Sequence, residues 1–503
     1  MIEMLFAISI ADRIQREFVM EKFKVIIIGT GFGGQSTAIR LNKMGIRDYI
    51  MLERREFMGG TWAQNTYPGA AVDVHSPLYS LSNEPYRWSQ MFAQQEELKQ
   101  YTNYIIDKHK LREKARINTN VNGVHWDEGL HRWIVDTNSG QYSAQFLVNS
   151  SGPLSTPAIP NFKGKDRFKG KSFHTNHWDH SFDYKDKRVA IIGSGASAAQ
   201  VIPAIVGDVK ELHVFQRTPH WVMPRPDRKF NEAERYLLGF EPVYNFTRNM
   251  IYWQLESRIL GFKYSKEFLN TFAQRQAEQH LKKQVSDPQL RAKLTPDFTI
   301  GCKRVILSNT LLPALTRDNV TLHTKHQGIS EIIETGIITT DEEALELDLI
   351  IYATGYDATD GVISYPVVGK NGKSLKDAWQ EFPRAYLGTT IPGFPNLFVV
   401  TGPNTGIGHT SALVIIESQM EYIERCIKAV NAQGIQAIEV RQEAEEKYTT
   451  NIHSEMEKTV WKTGGCNSWY QSKSGHIVSV YPGFTFTYRN KAMNFKPQHH
   501  QFS

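Results

Sequence analysis

The feature that most constrains this chain is a pair of glycine-rich loops, each following a β-branched run. The first is FKVIIIGTGFGG at residues 23–34 and the second KRVAIIGSGASAAQ at 187–200. Val25 to Ile28 and Val189 to Ile192 are short, continuous apolar runs, the pattern of a strand buried on both faces of a parallel sheet. Gly29, Gly31 and Gly34 spell GxGxxG, and Gly193, Gly195 and Ala198 spell GxGxxA. In such a loop the first glycine makes a tight turn, the second lets backbone approach a pyrophosphate, and the third position lets helix and strand close up. A helical pattern through Ala38, Leu41 and Met44 comes after the first loop, so the helix presents unpaired N–H groups to the phosphates.

The second strand of each copy is more telling than the loop itself. In the first copy it is DYIMLER, which carries Glu53; in the second it is ELHVFQRTP, which carries Arg217. Each stands 24 residues after the first glycine of its own loop. A carboxylate there accepts hydrogen bonds from ribose hydroxyls. A guanidinium there pairs with a 2′-phosphate in a bidentate fork. The first loop therefore reads as an FAD site and the second as an NADP site. The expected fold class is α/β, with two Rossmann-like dinucleotide-binding domains.

Size and composition agree. The 503 residues suffice for two or three domains with a large core. Hydrophobic content of 41% and charged content of 22% are ordinary for a globular chain. The net charge of +6 is mild and no block of five like charges occurs, so no nucleic-acid footprint is expected. Cys302, Cys426 and Cys466 stand apart with no CxxC. That argues against a disulfide framework, a zinc ribbon or a dithiol reductase, and fits a reducing, cytoplasmic compartment. No metal site is expected. No apolar run reaches the length of a membrane span. The amino-terminal stretch MIEMLFAISIADRIQREF lacks a basic n-region, so it reads as a short surface helix or an upstream start ahead of Met20 rather than a signal peptide.

Two later strands extend the pattern. LDLIIYATGYD, Leu347 to Asp357, is apolar and contains ATG near its end; FPNLFVVTGPN, Phe394 to Asn404, ends in a Gly-Pro turn before a helix expected from about Ser411 to Ala432. The ATG strand resembles the one that returns the chain to the flavin domain in two-dinucleotide-domain flavoproteins, and that resemblance implies another ATG near residue 150, where the chain has Asn149-Ser150-Ser151-Gly152 instead.

Between the two loops lies FKGKSFHTNHWD, which fits FxGxxxHxxxW(P/D) through Phe168, Gly170, His174, Trp178 and Asp179. A second stretch, GGTWAQNTYPGAAVD, contributes Gly59, Gly60, Trp62, Tyr67, Pro68, Gly69 and Asp73. Together with the loops, from about residue 22 to 490, these resemble the fingerprints of type I Baeyer–Villiger monooxygenases. The resemblance implies FAD and NADPH as cofactors, with O2 and a small lipophilic ketone as substrates. On that resemblance NADPH would reduce the flavin, and a C4a-peroxyflavin anion would attack the carbonyl to give an ester or lactone. It implies FAD-binding segments at 1–155 and 355–503, a linker at 156–179, NADP-binding segments at 180–230 and 300–354, and a helical insert at 231–299. By the same resemblance the fingerprint His174 would couple domain orientation, with Gly170 giving a tight bend and Trp178 an anchor.

The same resemblance assigns residues. IGCKRVIL matches the family's basic pair at Lys303 and Arg304. Arg304 would stabilise the anionic oxygen species, since an arginine does not give up its proton. Asp73 would hold and tune Arg304, and Lys303 would join Arg217 and Thr218 on the 2′-phosphate. Thr61, Trp62 and Tyr79 would line the flavin, and Val121 would sit on a short strand near its adenine. In the insert, Ile251, Leu255 and Ile259 share one helical face. A sulfide or amine oxygenase with the same cofactors is the alternative enzyme; a redox sensor or an uncoupled NADPH oxidase is the alternative class.

Overall fold

The β-branched runs become strands because their side chains are buried on both sides. In the computed structural model, which describes residues 20–265, 269–358 and 362–503, Val25, Ile26 and Ile27 are fully buried. They belong to β1 (Glu21–Ile28), which pairs in parallel with β2 (Tyr49–Leu52) across the helix Phe32–Lys43. β3 (Ala115–Arg116) extends that edge, and β4 (Val121–Asp127), β5 (Arg132–Thr137) and β6 (Gly140–Asn149) form an antiparallel meander returning beside β1. Val121 thus opens a seven-residue strand rather than the short one expected.

The second loop builds a second sheet. β7 (Lys171–His174), β8 (Arg188–Ile192) and β9 (Glu211–Phe215) precede an insert, with the helix Ala196–Ile205 between β8 and β9. β10 (Val222–Met223) and β11 (Ile306–Leu307), at the two ends of the insert, pair in parallel. β12 (Val320–His323) and a small antiparallel sheet of β13 (Ile329–Ile333), β14 (Gly336–Thr339) and β15 (Ala344–Glu346) lead to β16 (Leu349–Tyr352). The order of the second sheet is β12-β9-β8-β16-β7. The fingerprint stretch is therefore partly an edge strand of this sheet, not wholly a linker.

After β16 the chain returns to the first sheet, whose order is β17-β4-β5-β6-β1-β2-β3 with β17 (Val367–Val368) at its edge, while β18 (Leu397–Val399) pairs with β6. The helix Ala412–Gln433 comes next, with the Ser411 hydroxyl accepting a hydrogen bond from the Leu413 N–H. The insert is helical, and Ile251, Leu255 and Ile259 are all buried. Among the described residues no helix is long and apolar enough to cross a membrane. Residues 1–19 lie outside the described residues, and the reading of an amino-terminal surface helix falls there.

The cysteine reading needs correction: Cys302 and Cys466, 164 residues apart, form a disulfide. Spacing alone hid it, because the partners meet only when the end of the insert packs on the carboxy-terminal segment. Trp221, Phe298, Ile300, Trp461 and Tyr470 make that shared core. The compartment argument from unpaired cysteines falls with it. Cys426 is free and buried.

Candidate active site

The first loop opens onto a cleft of about 1340 Å3, part of it open to solvent, lined by Gly29, Gly31, Glu53, Thr61, Trp62, Tyr79 and Val121 among others. Gly29 has φ +99°, and a Cβ on it would stand 2.5 Å from the Ser150 carbonyl oxygen. On Gly60 (φ +63°) a Cβ would stand 2.6 Å from the Gly31 Cα. These glycines let three backbone segments converge at one point. Gly34 lies so close to the Gly29 carbonyl that no side chain fits, as the third position of the loop requires. Glu53 ends beside the cleft, where its carboxylate accepts hydrogen bonds from Thr30 N–H (3.2 Å) and Oγ1 (2.7 Å). Asn149-Ser150-Ser151-Gly152 takes the position of the expected ATG: Ser150 N–H donates to the Ile28 carbonyl, and Ser150, Ser151 and Gly152 line the cleft. Trp62 Nε1–H donates to Tyr79 Oη at 3.1 Å. Burial pushes the Tyr79 phenol up to about 12, so it stays protonated.

A second cavity lies between the lobes, lined by Asp73, Ala196, Gln200, Arg225 and Thr310 among others. Gly69 sits on its wall with φ +80°; a Cβ there would stand 2.4 Å from the Gln200 carbonyl. The helix after the second loop thus packs directly on the GGTWAQNTYPGAAVD segment. Gln200 Nε2 donates to the Ala71 carbonyl at 2.8 Å, and Tyr67 Oη donates to Gln200 Oε1 at 2.9 Å.

Arg304 and Asp73 meet at this junction in a two-point fork. Nε and Nη2 of Arg304 donate to the two oxygens of Asp73, each at 2.6 Å. Both side chains are about a third exposed, 32% and 31%, so the pair is gripped yet still reachable. Burial pushes the Asp73 carboxyl up, but the Arg304 charge and its hydrogen bonds outweigh that and leave it below its ordinary value. The Asp73 charge raises Arg304 further above its already high value. The pair is therefore locked ionised. Tyr79, from the first cleft, feels both charges, as does the buried Tyr470.

Register explains how Arg304 arrives. The pairing Val222↔Ile306 and Met223↔Leu307 sets residues 217–220 beside 303–304. The Ile306 N–H donates to the Trp221 carbonyl at 2.9 Å. Arg217 and Lys303 come within electrostatic reach of each other: burial, then the Arg217 charge, lowers Lys303. Two neighbouring cations suit a multiply charged anion. Ser194 Oγ donates to the Thr218 carbonyl at 2.9 Å, which ties the second loop to this cluster.

The fingerprint at 168–179 is the seam of the molecule. His174 is buried; its Nδ1 accepts from the Asn176 N–H at 3.0 Å, so Nε2–H donates to the Gly355 carbonyl at 3.1 Å. Burial lowers it to about 4, which removes it from acid–base chemistry near neutral pH. Asn176 Nδ2 donates to Asn65 Oδ1 (3.0 Å) and Tyr356 Oη (3.1 Å), joining the two fingerprints to the strand after which the chain returns. Trp178 is buried against Phe173 and Tyr184, and Asp179 pairs with Lys171. Gly170 lies in a bend, as expected, without a positive φ; what requires glycine there is space, since a Cβ would stand 2.4 Å from the Phe168 ring and 2.8 Å from the Asp348 carbonyl. Sequence reasoning missed Asn65, Asn176, Arg225 and Tyr470. Arg225 and Tyr470 lie near the pair only through long-range packing, but Asn65 and Asn176 lie inside the quoted motifs.

A family model for pyridine nucleotide-disulphide oxidoreductases matches residues 26–231. A Baeyer–Villiger monooxygenase of Pseudomonas aeruginosa is 42% identical over 476 residues, 94% of this chain and 90% of that protein. One of Streptomyces coelicolor is 40% identical over 480 residues, 95% and 92% of the two chains. The crystal structure of OTEMO in complex with FAD and NADP superimposes with a TM-score of 0.86 at 29% identity, over 96% of this chain and 99% of that one.

Proposed function

From the premise that this chain belongs to the Baeyer–Villiger monooxygenases, an FAD- and NADPH-dependent family, we propose that Arg304 and Asp73 carry the protein's share of oxygen insertion beside the carbonyl of a small lipophilic ketone. The chain is an NADPH-dependent flavoprotein monooxygenase, and the balanced reaction is ketone, O2, NADPH and a proton giving ester or lactone, water and NADP+. The observation that carries the reading is the two-point Arg304–Asp73 fork between the two clefts.

The residues fit both cofactors. Ser150 Oγ and Asn176 Oδ1, from residues lining the first cleft, are buried without a hydrogen-bond partner, as expected where a polar ligand supplies one. Gly29, Gly31 and Gly34 would cradle FAD phosphates there, Glu53 would take the ribose, Val121 would serve the adenine, and Thr61, Trp62 and Tyr79 would flank the flavin. At the second loop, Gly193, Gly195 and Ala198 would hold NADP, and Arg217, Thr218 and Lys303 would hold its 2′-phosphate. Bound FAD, once reduced by NADPH, supplies the activation of O2.

The protein's own work is electrostatic. Arg304 keeps its proton at every working pH, so it offers fixed positive charge to the carbonyl oxygen as that oxygen becomes negative. Asp73 does not act as an acid or base. It fixes the guanidinium plane and leaves Nη1 free of hydrogen bonds to described side chains. Phe168, Gly170, His174, Trp178 and Asp179 keep the two lobes in register around this cation. Arg304 need not be positioned this way for an electrophilic sulfide or amine oxygenation, which makes ketone chemistry the better reading.

The test is a panel of cyclic, linear, aryl and steroid ketones turned over with NADPH under 18O2, with products read by mass spectrometry. An ester or lactone carrying one 18O from at least one ketone is expected. Oxidation of thioanisole with no ester from any ketone would move the assignment to a sulfur oxygenase.

A further inference from the structure

The disulfide sits one residue from Lys303 and two from Arg304, and that placement extends the reading just given. Cys302 is fully buried, whereas Cys466 is partly exposed between the exposed Gly465 and Asn467. Their Cα atoms are 6.1 Å apart. The stretch between Phe298 and β11 belongs to no sheet. Its backbone ties are few: Cys302 N–H donates to the Thr299 carbonyl at 3.1 Å, and Thr299 N–H donates to the Gly464 carbonyl at 3.0 Å. Gly464 packs so close that a Cβ on it would stand 2.6 Å from the Cys302 Cβ. The partner segment, 464–470, also delivers Tyr470, whose phenol feels both Arg304 and Asp73. The cystine therefore joins the loop bearing the basic pair to a second segment facing the same pair. Among described side chains only that of Asp73 hydrogen-bonds the Arg304 guanidinium.

Resting on the assignment of Lys303 and Arg304 above, we propose that the Cys302–Cys466 cystine is a positioning element for this pair, and that its reversible reduction by a small thiol or dithiol loosens NADP binding and uncouples NADPH oxidation from oxygen insertion. The exposed rim makes Cys466 Sγ the sulfur that an external thiolate attacks. The S–S bond breaks, a mixed disulfide forms on Cys466, and Cys302 leaves as a thiolate and takes a proton. A second thiolate on the reductant then expels Cys466 in the same way. Two electrons and two protons pass to the protein, and the reductant becomes a disulfide.

The experiment uses the FAD-loaded enzyme before and after dithiothreitol, with thiols counted by alkylation under denaturing conditions and mass spectrometry. One thiol before, from Cys426, and three after are expected. The NADP+ dissociation constant, read from flavin fluorescence, should rise by about tenfold on reduction. Hydrogen peroxide released from NADPH and O2 without ketone should rise by a similar factor. Reoxidation should restore both, which separates repositioning from unfolding, and Cys466→Ser should match the reduced enzyme and ignore dithiothreitol. Three thiols in the untreated enzyme, or three after reduction with unchanged NADP+ affinity and peroxide release, would overturn the proposal. Lys303→Ala separates the two levels. If it leaves the NADP+ affinity unchanged, the parent assignment of Lys303 fails; if it weakens affinity while reduction does not, only the cystine proposal fails.

Discussion

At the scale of single residues, the site side chains were legible in two different ways. Glu53 and Arg217 are singled out by sequence because each stands where a dinucleotide fold puts its ribose-facing residue, at a fixed distance along the chain. Asp73 and Arg304 could not be paired from spacing, since 231 residues separate them; only the resemblance joined them, and the structure supplies the fork. His174 shows how burial decides a role. Its lowered value of about 4, against an ordinary 6.5, has a defined consequence for stability. The folded state disfavours the charged imidazole and the unfolded state does not. Stability is therefore full above 6.5 and is lost progressively as pH falls from 6.5 toward 4. Urea midpoints measured between these limits should fall less steeply in His174→Gln than in the parent; an identical slope would mean that His174 is not held neutral in the fold.

At the scale of elements, backbone geometry does most of the positioning. The parallel pair β10–β11 closes the ends of a long insert and places Arg217 near Lys303 in one stroke. The glycines of the two fingerprints let separate segments touch. Gly60 is one such case, with positive φ and the Gly31 Cα 2.6 Å from where a Cβ would be. Gly60→Ala must both strain its backbone and push the first loop away, at a cost of order 1–3 kcal/mol for the conformation alone. The variant should fold but bind FAD at least about tenfold more weakly, as read by the flavin absorbance retained after dialysis. Unchanged retention would show that the close approach of Gly31 and Gly60 does not shape the FAD site. The edge strand β7 was less legible: KSFH is four residues long, and its β identity comes from pairing with β16 rather than from its own pattern.

At the scale of the whole molecule, the two sheets were visible in the sequence because buried parallel strands leave continuous apolar runs beside glycine turns. What stayed hidden was contact between distant segments. The Asn65–Asn176–Tyr356 seam, the approach of Tyr470 to Arg304 and the Cys302–Cys466 bond all depend on how the lobes and the carboxy-terminal segment pack. No local pattern encodes them. The cysteine reading failed for that reason, whereas the expected pairing of Arg304 with Asp73 is present as a two-point fork. The proposed function stands on the charge of Arg304. The most direct measurement is ester formed per NADPH consumed, in the parent and in Arg304→Ala at matched FAD occupancy, with the ketone most readily oxidised by the parent. Near one ester per NADPH is expected in the parent, and a loss of at least about 100-fold in the rate of ester formation in the variant, with NADPH consumption continuing as hydrogen peroxide release. Ester formation by Arg304→Ala at the parent rate and yield would contradict it.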